Sequence, residues 1–232
     1  MASIKHIIAV IGFSIILLAI IGWWVDKNNQ APEILLEEDV QLEGPLSPEE
    51  LEIYNQDITN TMNPVAVMTT NKGVIEIELF EDTMPITTGN FIKLAEEKFY
   101  DGIKFHRIID NFMIQAGDPN TKGDNVMSYG TGGPGYTIQD EFVEGELLSN
   151  TRGTISMANT GQPNSGGSQF FINTVDNTAL DFNKEPFSSR HPVFGRVIKG
   201  MDVVDAISAS ETGARDLPIE PIIIESVTIV RG

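Results

Sequence analysis

The chain has 232 residues, 41% of them hydrophobic, which is enough for one medium-sized domain with a sizeable core plus appendages. Its 33 acidic residues against 15 basic ones give a net charge of −18, and such a chain repels nucleic-acid phosphates rather than binding them. It contains no cysteine, which excludes disulfides, thiolate zinc sites and cysteine nucleophiles.

The first predicted element is a membrane-spanning helix. Residues 7–25 carry no charge and end with Trp23 and Trp24, which suits a helix that crosses a bilayer and places aromatic rings at its interface. Lys5 precedes this segment and acidic residues follow it, so the positive-inside rule predicts a cytoplasmic N-terminus and an extracytoplasmic remainder. We therefore predict a single-pass signal-anchor over residues 1–25. The alternative is a cleaved signal peptide, after which the remainder is secreted.

An acidic spacer is predicted next. Residues 26–62 hold ten acidic residues against Lys27 alone, a composition typical of a solvated linker. Within it, Ser47 followed by proline and two glutamates is a helix-start pattern, so a short helix is predicted at 48–56. The remaining residues, 63–232, are predicted to form one domain.

Short β-branched and aromatic runs separated by turn residues predict that this domain is mainly β-structure. The predicted strands cover 65–69, 74–80, 105–109, 112–115, 154–158, 170–173, 193–197 and 222–230. The predicted helices run from Pro85 through Phe99 and from Met201 to Ile207. Many short strands with little helix indicate a closed barrel or a sandwich, and the pattern alone does not choose between them.

A glycine-rich segment matches a nucleotide-binding pattern by spacing only. Gly130, Gly132 and Gly135 satisfy G-x-G-x-x-G, but Pro134 interrupts the pattern and no helical periodicity follows. The segment from 123 to 135 is therefore predicted to be a long loop, and loops of that length are often functional.

Two other candidate sites are weak. His106 and His191 lack the i+4 partner and carboxylate pair of a metalloprotease, so no metal site is predicted. Ser168 does not lie in the G-x-S-x-G turn of a hydrolase, which argues against a serine nucleophile.

The most informative sequence lies in three ordered segments. They are FHRIIDNFMIQAGD at 105–118, GTISMAN at 153–159 and GSQFFI at 167–172, followed by HPVFGRV at 191–197. Together they closely resemble the cyclophilins. The resemblance runs from about 65 to 230 and leaves out the predicted anchor and spacer.

This resemblance implies an all-β-dominated fold, an eight-stranded antiparallel closed β-barrel capped by two α-helices. It implies peptidyl-prolyl cis/trans isomerase activity on proline-containing polypeptides, with no metal and no cofactor. We expect a monomer that assists the folding of exported or membrane-proximal proteins, because uncatalysed prolyl isomerisation is slow enough to limit folding.

The resemblance also assigns site residues. The positions expected to act in catalysis are Arg107, Gln115 and Asn159. The positions expected to bind substrate are Phe112, Met113, Ala158, Thr160, Gln169, Phe171, Leu180 and His191. Arg107 would donate to the prolyl nitrogen as the peptide bond twists, while Phe112, Met113, Phe171 and Leu180 grip the proline ring and His191 closes the wall.

Two departures from the family pattern leave an alternative open. Ala179 stands where many cyclophilins carry an aromatic residue, which puts cyclosporin sensitivity in question, and residues 182–190 lengthen the loop before His191. A module that binds proline-containing segments with little turnover is the alternative function. The intact Arg107 favours the enzyme and also disfavours a vestigial pocket.

Overall fold

A computed structural model of the protein describes residues 63–185 and 190–231. The predicted anchor at 7–25, the acidic spacer at 26–62 and its short helix at 48–56 lie outside the described residues. Within the part of the chain that is described, no helix has both the length and the apolar character needed to cross a membrane.

Eight antiparallel strands form one sheet, which confirms every predicted strand. They are β1 (Val65–Thr70), β2 (Gly73–Leu79), β3 (Arg107–Ile109), β4 (Met113–Ala116), β5 (Thr154–Met157), β6 (Phe170–Asn173), β7 (Val193–Lys199) and β8 (Ile224–Val230). Their order across the sheet is β3-β4-β6-β5-β7-β2-β1-β8. The strands β4, β6 and β5 are therefore neighbours, although long loops separate them in sequence.

The two ends of the sheet approach each other without a strand ladder between β3 and β8 in the described residues. The backbone N–H groups of Gly102 and Phe105 donate to the carbonyls of Ile224 and Ile222 at 2.7 and 2.9 Å. The N–H of Ile224 donates to the carbonyl of Ile103 at 2.8 Å. The fold is thus a half-barrel of eight strands, and the predicted closure consists of these few hydrogen bonds just before β3 and β8.

Two helices pack against the sheet, as predicted. Helix α1 (Pro85–Glu96) begins with proline at its first turn, where a missing N–H costs nothing. The buried carboxylate of Glu141 accepts hydrogen bonds from the N–H groups of Ile86 and Thr87 at 3.0 and 2.9 Å, and these are groups that a helix N-terminus leaves unpaired. Helix α2 comprises Met201–Ser208.

Helix α1 ends three residues before the predicted boundary at Phe99. Lys98 adopts a left-handed backbone conformation with φ of 57°, which stops the helix and turns the chain. The predicted apolar face is confirmed, because Phe91 and Leu94 are buried in the core. Phe91 stacks on Tyr100 with ring centroids 4.9 Å apart, so the turn after α1 is fixed by the same core.

The alternation of side chains along the strands gives the sheet two different faces. In β4, Ile114 and Ala116 belong to the main core, whereas Met113 and Gln115 point to the opposite face. In β6, Phe171 lies directly opposite Gln115 in the strand register, so it shares that outer face. This outer face carries the candidate site.

Candidate active site

A row of side chains crosses three neighbouring strands on the outer face. Arg107 in β3 is paired in register with Gln115 in β4, and Gln115 is paired with Phe171 in β6. Directly opposed residues of antiparallel strands have Cβ atoms about 5 Å apart. The sheet therefore holds a guanidinium, an amide and an aromatic ring side by side.

Next to this row lies an apolar socket. Met113 and Phe171 are buried although they point away from the main core. The ring of His191 meets the ring of Phe171 edge-on, with centroids 5.3 Å apart and planes at 82°. The backbone N–H of His191 donates to the carbonyl of Leu180 at 3.1 Å, which brings Leu180 to the same wall.

The last socket residue, Phe112, is held through its backbone. Its carbonyl accepts hydrogen bonds from the N–H of Thr174 at 3.1 Å and from the side-chain amide of Asn177 at 2.7 Å. Asn177 opens the short turn that carries Leu180. Phe112 and Leu180 are half-buried, so both retain surface with which a bound ring could make contact. The structure thus assembles all five predicted socket residues around the ends of β4 and β6.

Arg107 is anchored by a residue that sequence reasoning missed. Its Nε lies 3.4 Å from a carboxylate oxygen of Asp216, and about half of each side chain is exposed. The two terminal nitrogens of Arg107 have no hydrogen-bond partner among residues 63–185 and 190–231. The guanidinium is therefore oriented on one edge, while donors on its other edges are available to a substrate.

The remaining predicted residues line a groove of about 530 Å³ on the other side of Gln115. Its walls include Gln115, Ala158, Asn159, Thr160 and Gln169. The side-chain amides of Gln115 and Gln169 are joined by a hydrogen bond of 3.1 Å. The groove shares Gln115 with the row of side chains, so a chain bound beside Gln115 could extend into it.

The glycine-rich loop forms the far wall of this groove. The amide nitrogen of Gln169 donates to the carbonyls of Gly130 and Gly132 at 3.1 and 2.8 Å. A Cβ atom at Gly132 would collide with the buried carboxylate of Asp118, so glycine is needed for the close approach. The loop that matches the nucleotide-binding pattern by spacing therefore forms a wall of this groove.

Asn159 offers its backbone to the groove. Its side chain is engaged, because Nδ2 donates to the carbonyl of Arg190 at 2.6 Å and Oδ1 accepts from the N–H of Gly161 at 3.0 Å. Its own N–H and C=O make no hydrogen bond to another residue within the described ranges. A free donor and acceptor next to Ala158 suit the edge-on binding of an extended peptide.

A buried polar network, not foreseen from the sequence, supports the socket from behind. The carboxylate of Asp181 accepts hydrogen bonds from the Ser149 hydroxyl at 2.6 Å and from the backbone and side-chain nitrogens of Asn150 at 2.7 and 2.9 Å. The side chain of Asn150 also donates to the carbonyl of His191 at 3.0 Å. Asp181 directly follows Leu180, so the network fixes both Leu180 and His191.

The same network reaches the opposite wall. Asn173 donates to the side-chain oxygen of Asn150 at 3.2 Å, and Asn177 donates to the side-chain oxygen of Asn173 at 2.8 Å. Asn177 also holds the carbonyl of Phe112, as described above. One chain of buried hydrogen bonds therefore connects Phe112 with His191, and its members are positioning residues of the socket.

Comparison with known proteins identifies the family. The family model described as "Cyclophilin type peptidyl-prolyl cis-trans isomerase/CLD" matches residues 65–229. The chain belongs to the cyclophilins. It is accordingly a cyclophilin-type peptidyl-prolyl cis-trans isomerase, as the sequence resemblance indicated.

Several bacterial isomerases are similar to this cyclophilin. Peptidyl-prolyl cis-trans isomerase B of Escherichia coli is 44% identical over 167 residues, covering 69% of this chain and 96% of the relative. A peptidyl-prolyl cis-trans isomerase of Acinetobacter baylyi is 43% identical over 171 residues, covering 72% and 86%. A putative bifunctional phosphatase/peptidyl-prolyl cis-trans isomerase of Streptococcus pyogenes is 39% identical, and the match spans 79% of this chain but 42% of that protein.

Among solved structures, a Cryptosporidium parvum cyclophilin crystallised in the presence of the dipeptide Ala-Pro superimposes with a TM-score of 0.61. It is 29% identical, and the match covers 72% of this chain and 99% of that one. The fold similarity extends over the cyclophilin domain and agrees with the eight-stranded sheet and two helices.

We expect Asp216→Asn to reduce the kcat/KM of this cyclophilin by about threefold to tenfold, because an exposed ion pair contributes modestly to orientation. The amide removes the charge that holds the Nε edge of Arg107 but keeps the shape of the side chain. The check is prolyl exchange of a short X-Pro peptide by NMR, with peptide affinity measured in parallel. An unchanged kcat/KM would show that Asp216 does not orient Arg107.

His106, next to Arg107, makes the stability of the domain depend on pH. Burial lowers its pKa to about 4, and the nearby Asp118 only partly opposes this effect. An unfolded histidine titrates near 6.5, so between these values the unfolded state binds more protons and the free energy of unfolding falls as pH falls. We expect this residue to account for a loss of about 3 kcal/mol across that window.

Urea unfolding at several pH values between 7 and 4, for wild type and His106→Gln, checks this expectation. In the variant the free energy of unfolding should decline less steeply as pH falls. The carboxylates and His191 are present in both proteins, so their contributions should cancel in the comparison. Burial also lowers the pKa of His191, which is why the comparison and not the absolute slope is informative. Parallel declines in the two proteins would contradict a depressed pKa at His106.

Proposed function

We propose that this cyclophilin accelerates rotation about X-Pro bonds by a non-covalent mechanism centred on Arg107, in exported or membrane-proximal polypeptides. The observation that supports this most directly is the strand register, which aligns Arg107 with Gln115 and Phe171 beside an apolar socket. A ring-sized apolar site next to a charged multiple donor is what prolyl isomerisation needs.

Prolyl isomerisation is slow because the peptide bond must lose its amide conjugation as it twists. Rotation about a peptide bond faces a barrier of roughly 18–20 kcal/mol because the nitrogen lone pair is delocalised into the carbonyl. In the twisted state that nitrogen becomes pyramidal and can accept a hydrogen bond, which the guanidinium of Arg107 can donate. Because the interaction strengthens only as the bond twists, it favours the transition state over the ground state.

The other predicted site residues bind the proline ring, the carbonyl that rotates and the flanking residues of the substrate. Phe112, Met113, Phe171, Leu180 and His191 enclose the proline ring. Gln115 and the backbone of Asn159 hold the turning carbonyl and the adjoining peptide. Ala158, Thr160 and Gln169 receive the residues that extend along the groove. Rotation makes and breaks no covalent bond, so the proposed chemistry needs no metal or cofactor.

Exchange NMR of a short Ala-Pro peptide with catalytic amounts of the full-length protein tests this function. We expect cross-peaks between the cis and trans forms, on a time scale where the free peptide shows none. Phe171→Ala should weaken binding and lower kcat/KM about tenfold or more, because it removes a wall of the socket. Peptide binding without faster exchange in wild type would favour the alternative, a proline-segment binding module.

We further propose that residues 7–25 anchor the protein in the cell membrane, with residues 26–62 as a spacer and the catalytic domain extracytoplasmic. The uncharged length, the paired tryptophans and the charge distribution support this orientation. Full-length protein should stay with membranes after salt and carbonate washing. Release as a shortened soluble form would instead indicate cleavage and secretion.

A further inference from the structure

A second cavity is lined by Arg107 and shares Gln115 and Gly130 with the groove. It has a volume of about 750 Å³, and neither the socket nor the mechanism uses it. Its walls come from the segment after His106, the loop around Met127 and the loop 213–219. Arg107 and Gln115 line this cavity as well as the active site, so a polypeptide bound at Arg107 has direct access to it.

The walls of this flanking cavity are held together before any ligand arrives. The guanidinium of Arg215 donates to the carbonyls of Val126 and Tyr129, each at 2.9 Å, and so joins the two loops. Within the second loop, the N–H of Gly213 donates to the carbonyl of Leu217 at 2.8 Å. A preformed cavity of this kind costs little ordering entropy when it is filled.

Large apolar side chains are exposed at its rim. Val126, Met127 and Ile219 are 45%, 73% and 55% exposed, and all three line the cavity. Soluble proteins seldom gather exposed apolar side chains in one place unless the surface binds something. Methionine at such a rim adapts to ligands of different shape.

Three charged side chains line the cavity. Arg107 and Asp216 form an ion pair at 3.4 Å, whereas Arg215 donates to two backbone carbonyls, which bind its N–H groups without neutralising its charge. His106 also faces the cavity, and its depressed pKa keeps it neutral near pH 7. Most of the other lining side chains are apolar, Leu217 and Pro218 among them, so the cavity favours an apolar ligand over a cation.

We propose that this flanking cavity is a specificity subsite that binds a large apolar side chain of the substrate, close to the proline in sequence. The inference rests on the proposed function, because the proline in the socket is what brings the neighbouring residue to Arg107. It adds that the enzyme prefers X-Pro segments with a phenylalanine-like or leucine-like residue at one flanking position.

Matched peptides test the subsite with the full-length protein. Each contains one proline in an alanine-glycine background, and phenylalanine replaces alanine at one of the first three positions on either side. We expect at least one phenylalanine position to raise kcat/KM about tenfold over the alanine peptide, as partial burial of an aromatic ring provides. Lysine at that position should give no gain, and glutamate should give a smaller gain than phenylalanine. The same peptide should shift the methyl resonance of Met127.

Two variants make the test specific. The double change Met127→Ser and Ile219→Ser should abolish the gain from phenylalanine, whereas Leu147→Ser should keep it. Leu147 is 55% exposed, like Ile219, but lies outside the cavity. A gain that survives the double change, or no gain at any position while the alanine peptide is still accelerated, would overturn the subsite alone. Failure to accelerate even the alanine peptide would overturn the proposed function and the subsite with it.

Discussion

Arg107→Ala is expected to lower kcat/KM for X-Pro exchange by about 100- to 1,000-fold, the usual loss when one donor aimed at a transition state is removed. The affinity for the ground-state peptide should change by less than about threefold, because the proposed hydrogen bond to the prolyl nitrogen strengthens only during twisting. Exchange NMR gives the rate, and a peptide titration gives the affinity.

Arg107→Lys separates charge from geometry. Lysine keeps the positive charge but lacks the planar fork of donors, so we expect an activity between those of wild type and Arg107→Ala. Arg107 is exposed, and among residues 63–185 and 190–231 its side chain forms only an exposed ion pair with Asp216, so neither change should affect the melting temperature much. Equal loss of affinity and rate in Arg107→Ala would contradict a role confined to the transition state.

Asp181→Ala is expected to have the largest effect on stability, lowering the free energy of unfolding by about 2–4 kcal/mol. Asp181 is buried and its carboxylate accepts three hydrogen bonds from Ser149 and Asn150. Truncation removes the acceptor of the buried Asn150 N–H and of the half-buried Ser149 hydroxyl, while the Asn150 amide keeps only its bond to His191. Because Asn150 also holds the carbonyl of His191, the socket should loosen and KM should rise.

Asp124→Ala is the matched control, since Asp124 is an exposed aspartate whose side chain forms no hydrogen bond within the described residues. It should change the free energy of unfolding by no more than about 0.5 kcal/mol. Urea unfolding of both variants supplies the comparison, and prolyl exchange at low and high peptide concentration separates KM from kcat. Equal stability of the two variants would show that the network does not support the fold.

The strands and helices could be predicted because their signals are local. The β-branched runs around Asn71 and the apolar face of Phe91 and Leu94 depend on neighbours in sequence, and all were confirmed. The end of helix α1 at Glu96 could not be predicted, because it depends on the left-handed conformation of Lys98. The incomplete closure of the barrel likewise depends on how distant segments meet before β3 and β8.

The residues of the site likewise fall into those that could be predicted from the sequence and those that could not. Arg107, Gln115 and Phe171 could be found from the family segments, and the register then places them side by side. Asp216 could not be predicted, because it contacts Arg107, a residue 109 positions away in the sequence. Asp181 and Asn150 were missed because an isolated aspartate or asparagine in a loop usually indicates a turn. Only the folded chain shows that they form a buried network.

The most direct test of the central claim is exchange NMR of an Ala-Pro peptide saturated with the full-length protein, because saturation isolates rotation on the enzyme from binding. We predict fast cis/trans exchange in the bound state of wild type, and slow exchange in Arg107→Ala at the same occupancy. Equally fast exchange in bound Arg107→Ala would contradict the role of Arg107. Slow exchange in bound wild type would contradict catalysis at this site altogether.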